Sequence, residues 1–295
     1  MMRYVASVLT CLLMAGATEA RADDPIPRFT MTTIGGNGTR AYGGDGKPAT
    51  EASLEHPTAV AITSTGILYI ADDPTNRVRE IDQDGIMSTY VGTGKTARQK
   101  KIRKPHKMNI HSAYGIATDH QDNLYVLTRG HTRIYKITPE GETTIIAGNG
   151  RAGIEGDGGP ATEARFNWPN HLVADPEGNL YVADTGNDRI RKIDTNGIIT
   201  TIAGSGKGGF GGDGGPATEA LLDAPSAIAI DAQGNLYTAD FMNHRIRKID
   251  TSGIITTVAG TGEPKYNGDD LPALEANIGE PCGVAVDSMG YIYIG

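Results

Sequence analysis

Seven residues able to hold a ligand gather at one recurring place in this chain. His56, Tyr114, Trp168, Asn170, His171, Ser226 and Cys282 all lie within two residues of positions 57, 113, 169, 225 and 281. Those positions are proline in every case but Ala113. Imidazole, phenol, indole, carboxamide, hydroxyl and thiol groups stack and exchange hydrogen bonds, so their convergence in a concavity would suit a small ligand or a glycan. Metal-assisted hydrolysis would need about three His, Asp or Glu ligands with an open position. His56, His111 and His171 are the best candidates, although they occupy unequal places relative to the repeat. Cys282 would act as a nucleophile only beside a base, and a small, half-buried thiol fits it better. No GxSxG elbow occurs.

Two other constellations carry charge. Lys95, Arg98, Lys100, Lys101, Arg103, Lys104 and Lys107 crowd one segment of an otherwise acidic chain. Such density attracts polyanions in a salt-dependent way, and an anionic polysaccharide, lipid headgroup or cell-wall polymer would be its target. Elsewhere the same place carries glycine-rich acidic loops, with Asp45, Asp157, Asp213 and Asp269 in register and Glu51, Glu163, Glu219 and Glu275 following. One Asp and one Glu per loop fall short of the six to eight oxygens of a Ca²⁺ cage. Pro160 and Pro216 instead suit the first position of a short helical turn. Neither Ca²⁺ nor Zn²⁺ is therefore expected as a resident cofactor.

What positions these groups is a period of 56 residues. Tyr69, Tyr125, Tyr181, Tyr237 and Tyr293 follow it, and Gly-Asp-Gly-Gly-Pro-Ala-Thr-Glu-Ala at 156–164 returns unchanged at 212–220. A fixed period of this length signals an array of one supersecondary unit. In the third copy four short apolar runs, 171–174, 180–183, 189–193 and 198–203, are separated by turns such as Pro176-Glu177-Gly178-Asn179 and Thr195-Asn196-Gly197. Such runs predict four antiparallel strands per copy, and four-stranded units arranged radially make a β-propeller blade. The stretches Asn179-Leu-Tyr-Val-Ala-Asp184, Asn187-Asp-Arg-Ile-Arg-Lys-Ile-Asp194 and Gly197-Ile-Ile-Thr-Thr-Ile-Ala-Gly204 resemble the NHL-repeat family, as does 235–260. The first copy is looser, and the second, with Thr128-Arg129-Gly130-His131-Thr132-Arg133, departs most. The long glycine-rich insert resembles that of exported bacterial members. The resemblance implies an all-β propeller that serves as a binding platform. Related lactonases and the amidating lyase use channel metals, so a metal-dependent lactonase or lyase is the alternative.

The period also acts as an internal control, because a feature present in every copy belongs to the scaffold. Asp72/Arg77, Asp184/Arg189 and Asp240/Arg245 recur five residues apart and read as structural pairs across a hairpin. In an up-and-down blade the loops between strands 1–2 and 3–4 share one face, and these are monotonous. The 2–3 loops and the blade-leading segments share the other face and carry the variation. A binding site for a glycan, peptide or protein is expected there.

Phe29 to Gly36 aligns with 85–92, which predicts a fourth strand at the start of the array, placed to close the ring. The last copy stops in its second strand, so a propeller of five or six blades, incomplete at its C-terminus, is expected over 23–295. Residues 1–22 read as a signal peptide, with Arg3 before an apolar stretch and a small-residue site at Ala20-Arg21-Ala22. That stretch is too short to serve as a membrane span. Export to the periplasm or the extracellular space is the expectation. Loss of Arg3, Glu19 and Arg21 would take the formal charge from −8 to −9, which disfavours nucleic acid as a partner. Loss of Cys11 would leave Cys282 alone, with no intramolecular disulfide.

Overall fold

A computed structural model of the chain describes residues 31–97 and 102–295. The expected leader at 1–22, and Arg98, Lys100 and Lys101 of the basic run, lie outside the described residues. Alternating apolar residues between tight turns form five antiparallel sheets, four of them blades of four strands or more and the fifth a two-stranded pair. After a two-residue edge strand β1 (Lys47–Pro48), blade 1 is β2 (Pro57–Ile62), β3 (Leu68–Asp72), β4 (Arg77–Ile81) and β5 (Ile86–Val91). Blade 2 is β6 (Ala113–Thr118), β7 (Leu124–Thr128), β8 (Arg133–Ile137) and β9 (Thr143–Ala147). Blade 3 is β10 (His171–Ala174), β11 (Leu180–Asp184), β12 (Arg189–Ile193) and β13 (Ile199–Ala203). Blade 4 is β14 (Pro225–Ile230), β15 (Leu236–Asp240), β16 (Arg245–Ile249) and β17 (Ile255–Ala259). A fifth unit contributes β18 (Val284–Val286) and β19 (Ile292–Ile294). The expected all-β propeller of four-stranded blades is what forms.

The core lies between blades rather than within them. Leu127 and Ile134 of blade 2 pack with Leu172, Val182 and Ile199 of blade 3 around Phe166, and Ala183 and Ile190 of blade 3 pack with Ile228, Leu236 and Ile255 of blade 4. A lone blade could not bury these faces, so the array must fold as neighbours. One hydrogen bond marks every unit at the 56-residue step: the N–H groups of Gly36, Gly92, Gly148, Gly204 and Gly260 donate to the carbonyls of Ala49, Pro105, Ala161, Ala217 and Ala273. The expected strand at the start is a correction, since 31–36 carry no strand among the described residues. The bond from Gly36 nevertheless keeps that segment in the periodic frame.

The recurring tyrosines are scaffold with an identifiable task. The hydroxyls of Tyr125, Tyr181, Tyr237 and Tyr293 donate to Asp119, Asp175, Asp231 and Asp287 at 2.9–3.1 Å. Each aspartate also accepts the backbone N–H that closes the 1–2 turn, as Asn179 N does on Asp175. Blade 1 has Thr63 at that place, and Tyr69 lies instead against Tyr90, ring centroids 5.0 Å apart.

The structural ion pairs differ from the expected ones. Asp184 and Asp240 are in register with Arg189 and Arg245, but their carboxylates meet Arg191 (3.5 Å) and Arg247 (3.2 Å) two residues further on. The insert aspartates complete the set: Asp45, Asp157 and Asp213 pair with Arg79, Arg191 and Arg247 at 2.6–2.8 Å. The reason is geometric. A β-bulge in the fourth strand shifts the register at Arg79, Arg191 and Arg247, and these side chains become fully buried beneath the insert. Arg77 and Arg245 are freed to stack on Tyr42 and Phe210. Blade 2 replaces the whole network at once. Lys101 stands for the insert aspartate, Thr128 for the strand aspartate, and buried Tyr135 for the arginine. In the acidic inserts the helical turns are Ala161–Glu163 and Ala217–Glu219, so Pro160 and Pro216 cap them from the position before, one residue earlier than expected.

Candidate functional site: a cluster between blades 2 and 3

The variable position after the recurrent proline sits on a β-bulge at the start of the first strand. Pairing skips Thr58, Tyr114 and Ser226 between Pro57/Ala59, Ala113/Gly115 and Pro225/Ala227. A bulge re-aims the side chain of its extra residue, here at the rim of the face predicted to vary. The residue preceding the proline position is left-handed in four copies: Ser112, Trp168, Ala224 and Glu280 have φ of 46–58°. Its recurrence makes this conformation part of the scaffold, although it is an unfavourable one for a tryptophan.

Three of the seven predicted residues come together. Tyr114, Trp168 and Asn170 surround Arg129, the first residue of the 2–3 turn of blade 2. The guanidinium carbon lies 3.0 Å from the centre of the Tyr114 ring and 5.6 Å from that of Trp168. Nη2 of Arg129 donates to Asn170 Oδ1. Burial pushes the Arg129 guanidinium below its usual range, while Tyr114 and Asp73 pull the other way. Trp168 is 66% exposed, so its indole stands as an open platform beside a sheltered cation. Sequence reasoning placed Arg129 in a variable loop without assigning it to the site. The available signal was that Asp73, Arg129, Thr185 and Phe241 are equivalent, so only blade 2 supplies a cation there.

The other four predicted residues are dispersed. His171 spans the junction of blades 3 and 4, where its Nδ1 accepts the N–H of Ile228 at 3.3 Å. Desolvation lowers its pKa to about 4, so the ring is neutral at physiological pH. The Ser226 hydroxyl donates to the carbonyl of Pro281 at 3.0 Å and ties blade 4 to the fifth unit. Cys282 is exposed rather than half-buried, its Sγ lies 3.4 Å from the Glu280 carbonyl, and partial desolvation of the thiol, followed by the Glu280 charge, raises its pKa. His56 leads into blade 1, its N–H held by Asp72 at 2.8 Å, and it borders a cavity of about 830 Å³ with Asn37, Arg40 and Glu55. His111 packs edge-on against His131, ring centroids 5.6 Å apart. Among the described residues no group of three or more His, Cys, Asp or Glu is arranged to hold a metal ion.

The carboxylate of Asp157 takes Nε and Nη2 of Arg191 and the Thr201 hydroxyl, so its oxygens are committed to the blade. Of the basic run, Lys95, Arg103, Lys104 and Lys107 are exposed on the lead to blade 2, Lys107 within the turn Pro105–Lys107 and the others before it. Among the described residues no helix is long and apolar enough to cross a membrane.

Radial four-stranded blades with this repeated Asn, Asp and Arg chemistry define an NHL-type propeller. Residues 36–112, 150–211 and 208–267 match the Teneurin NHL domain, and the chain belongs to the NHL-repeat β-propeller family. It is 32% identical to human Teneurin-4 over 231 residues, which is 70% of this chain and 8% of that protein. The chain thus spans under a tenth of that relative. Among solved structures it is similar to an auxiliary nutrient binding protein from Bacteroides ovatus, with TM-score 0.59, 19% identity, and 82% of this chain and 57% of that one covered. It is also similar to a gluconolactonase from Xanthomonas campestris, with TM-score 0.53, 15% identity, and 81% and 69% covered. At these identities the structural likenesses speak for the fold.

Proposed function

We propose that this chain is an exported, non-catalytic propeller that binds a ligand or partner, a glycan, peptide or protein, on the face carrying its 2–3 turns and blade-leading segments. The observation that carries the reading is the junction of blades 2 and 3. There an exposed tryptophan, a sheltered arginine stacked on a tyrosine, and an asparagine converge, while Thr58, Thr185 and Ser226 at equivalent places bond to backbone carbonyls of the next unit. An open aromatic platform beside a few fixed polar groups is the composition of a recognition site. A nutrient-binding protein of the same fold is consistent with this use. No metal or other cofactor enters the reading, because three of the four insert aspartates, Asp45, Asp157 and Asp213, are engaged by buried arginines. The apolar leader supports placement in the periplasm or outside the cell. The basic segment 95–107 would add salt-sensitive attraction for an anionic polymer without forming the specific site.

Trp168 is the sole tryptophan, so its emission reports this junction alone. Screening a glycan and peptide panel should give saturable emission changes, with calorimetric affinity lost in Trp168→Ala at unchanged thermal stability. Ligands that bind the variant as tightly as the parent would place recognition elsewhere. Stoichiometric Zn²⁺ or Ca²⁺ carried by the purified protein, with lactone hydrolysis, would favour the enzymatic alternative.

A further inference from the structure

Three of the blade junctions share a staple that the candidate site lacks. The N–H groups of Ser112, Ala224 and Glu280 donate to Asn76 Oδ1 (2.8 Å), Asp188 Oδ1 (2.9 Å) and His244 Nδ1 (3.0 Å), each acceptor being the left-handed residue that ends the previous blade's 2–3 turn. At the junction of blades 2 and 3 the corresponding residues are Thr132 and Trp168. Thr132 Oγ1 is buried with no hydrogen-bond partner.

The same turn contains Arg129, whose Nε is also buried and unpaired. Arg133, Arg189 and Arg247 leave Nε unpaired as well; Arg247 is ion-paired with Asp213 and Asp240, whereas Arg189 donates to the Ser205 carbonyl and Arg129 to Asn170 Oδ1, both neutral acceptors. Among the described residues no carboxylate lies within ion-pair distance of Arg129; the Asp73 charge acts on it from further away. Sheltering a cation without a counter-ion is costly, and the cost is recovered when an anion completes the pair. A planar guanidinium meets a carboxylate with two parallel N–H donors, which a neutral group cannot match.

We infer that the junction of blades 2 and 3 binds a small ring-bearing carboxylate, its oxygens on Arg129 and its ring against the Trp168 indole. This rests on the binding reading above and narrows it to one ligand chemistry. Sugar acids and aromatic acids both present a carboxylate beside a flat face, and the test separates them.

Calorimetry and Trp168 emission would be recorded with glucuronate, glucose, benzoate and benzamide. At least one acid should bind at least tenfold more tightly than its neutral counterpart, glucuronate marking a saccharide site and benzoate an aromatic one. Arg129→Gln should abolish that preference, and Arg129→Lys should retain part of it, with melting temperatures of both variants showing that the blades remain folded. Equal binding of acid and neutral partner, or undiminished acid binding by Arg129→Gln, would overturn the carboxylate inference while leaving a binding site in place. Absence of binding by all four compounds would also overturn it, and the glycan and peptide panel decides the wider reading separately.

Discussion

Replacing Arg191 by tyrosine should be far more damaging alone than together with changes at its two partners. Arg191 is fully buried and holds Asp157 at 2.7 Å, the Arg165 carbonyl at 2.7 Å and the equally buried Asp184 at 3.5 Å. Arg191→Tyr would leave Asp184 charged and sealed from water, a change worth about 3–5 kcal/mol. Asp157 is 37% exposed and would add little. Blade 2 already contains the alternative solution, Lys101, Thr128 and Tyr135, so the triple change D157K/D184T/R191Y transplants a set that its neighbour uses. It should recover more than half of the loss, because no buried carboxylate remains. Denaturant midpoints of the parent, single and triple variants measure this directly. The single variant should also be less impaired at pH 5 than at pH 7.5. Burial already raises Asp184 to about 6, outweighing the pull of Arg191, and without Arg191 the protonated acid is favoured further. A folded-state carboxyl above its unfolded value makes stability fall as pH rises through that window. A triple variant no more stable than Arg191→Tyr would refute the claim that these residues form one exchangeable unit.

Three further outcomes are expected. Tyr181→Phe removes a hydroxyl bonded to Asp175 at 3.1 Å and should cost about 1–2 kcal/mol, whereas Tyr69→Phe, at the copy with Thr63, should cost less than half as much by the same denaturation assay. His171 has a folded pKa of about 4, so its neutral form supplies stability that is full above about 6.5 and lost as pH falls towards 4. His171→Gln should therefore narrow the gap in stability between pH 7.5 and 4.5 by up to about 3 kcal/mol; melting curves at the two pH values check it, and an unchanged gap would contradict the enclosed ring. The comparison cancels the opposite trend of Asp184 and Asp240, whose carboxyls are raised to about 6. Cys282 should alkylate slowly with iodoacetamide at pH 7.5 and accelerate above pH 9, since its thiolate is disfavoured; rapid labelling at neutral pH would reopen a nucleophilic role.

The amino-acid sequence determined the blade, its strand order, the varying face and the scaffold status of the tyrosines, because all of these repeat at a fixed step and each strand is short and local. It also exposed blade 2 as the exception. Tertiary structure decided what the exceptions do. The identity of the Asp–Arg partners depended on a bulge in the fourth strand, which shifts register by one residue and buries Arg191 rather than Arg189. The candidate site depended on a contact across a blade junction, between Arg129 and residues 114, 168 and 170. Periodicity aligns equivalent positions in different copies, but it carries no information on which unlike positions of adjacent blades touch. Hence Tyr114, Trp168 and Asn170 were legible as variable, while Arg129 as their centre, and the dispersal of His56, His171, Ser226 and Cys282, followed only from how one blade is laid against the next.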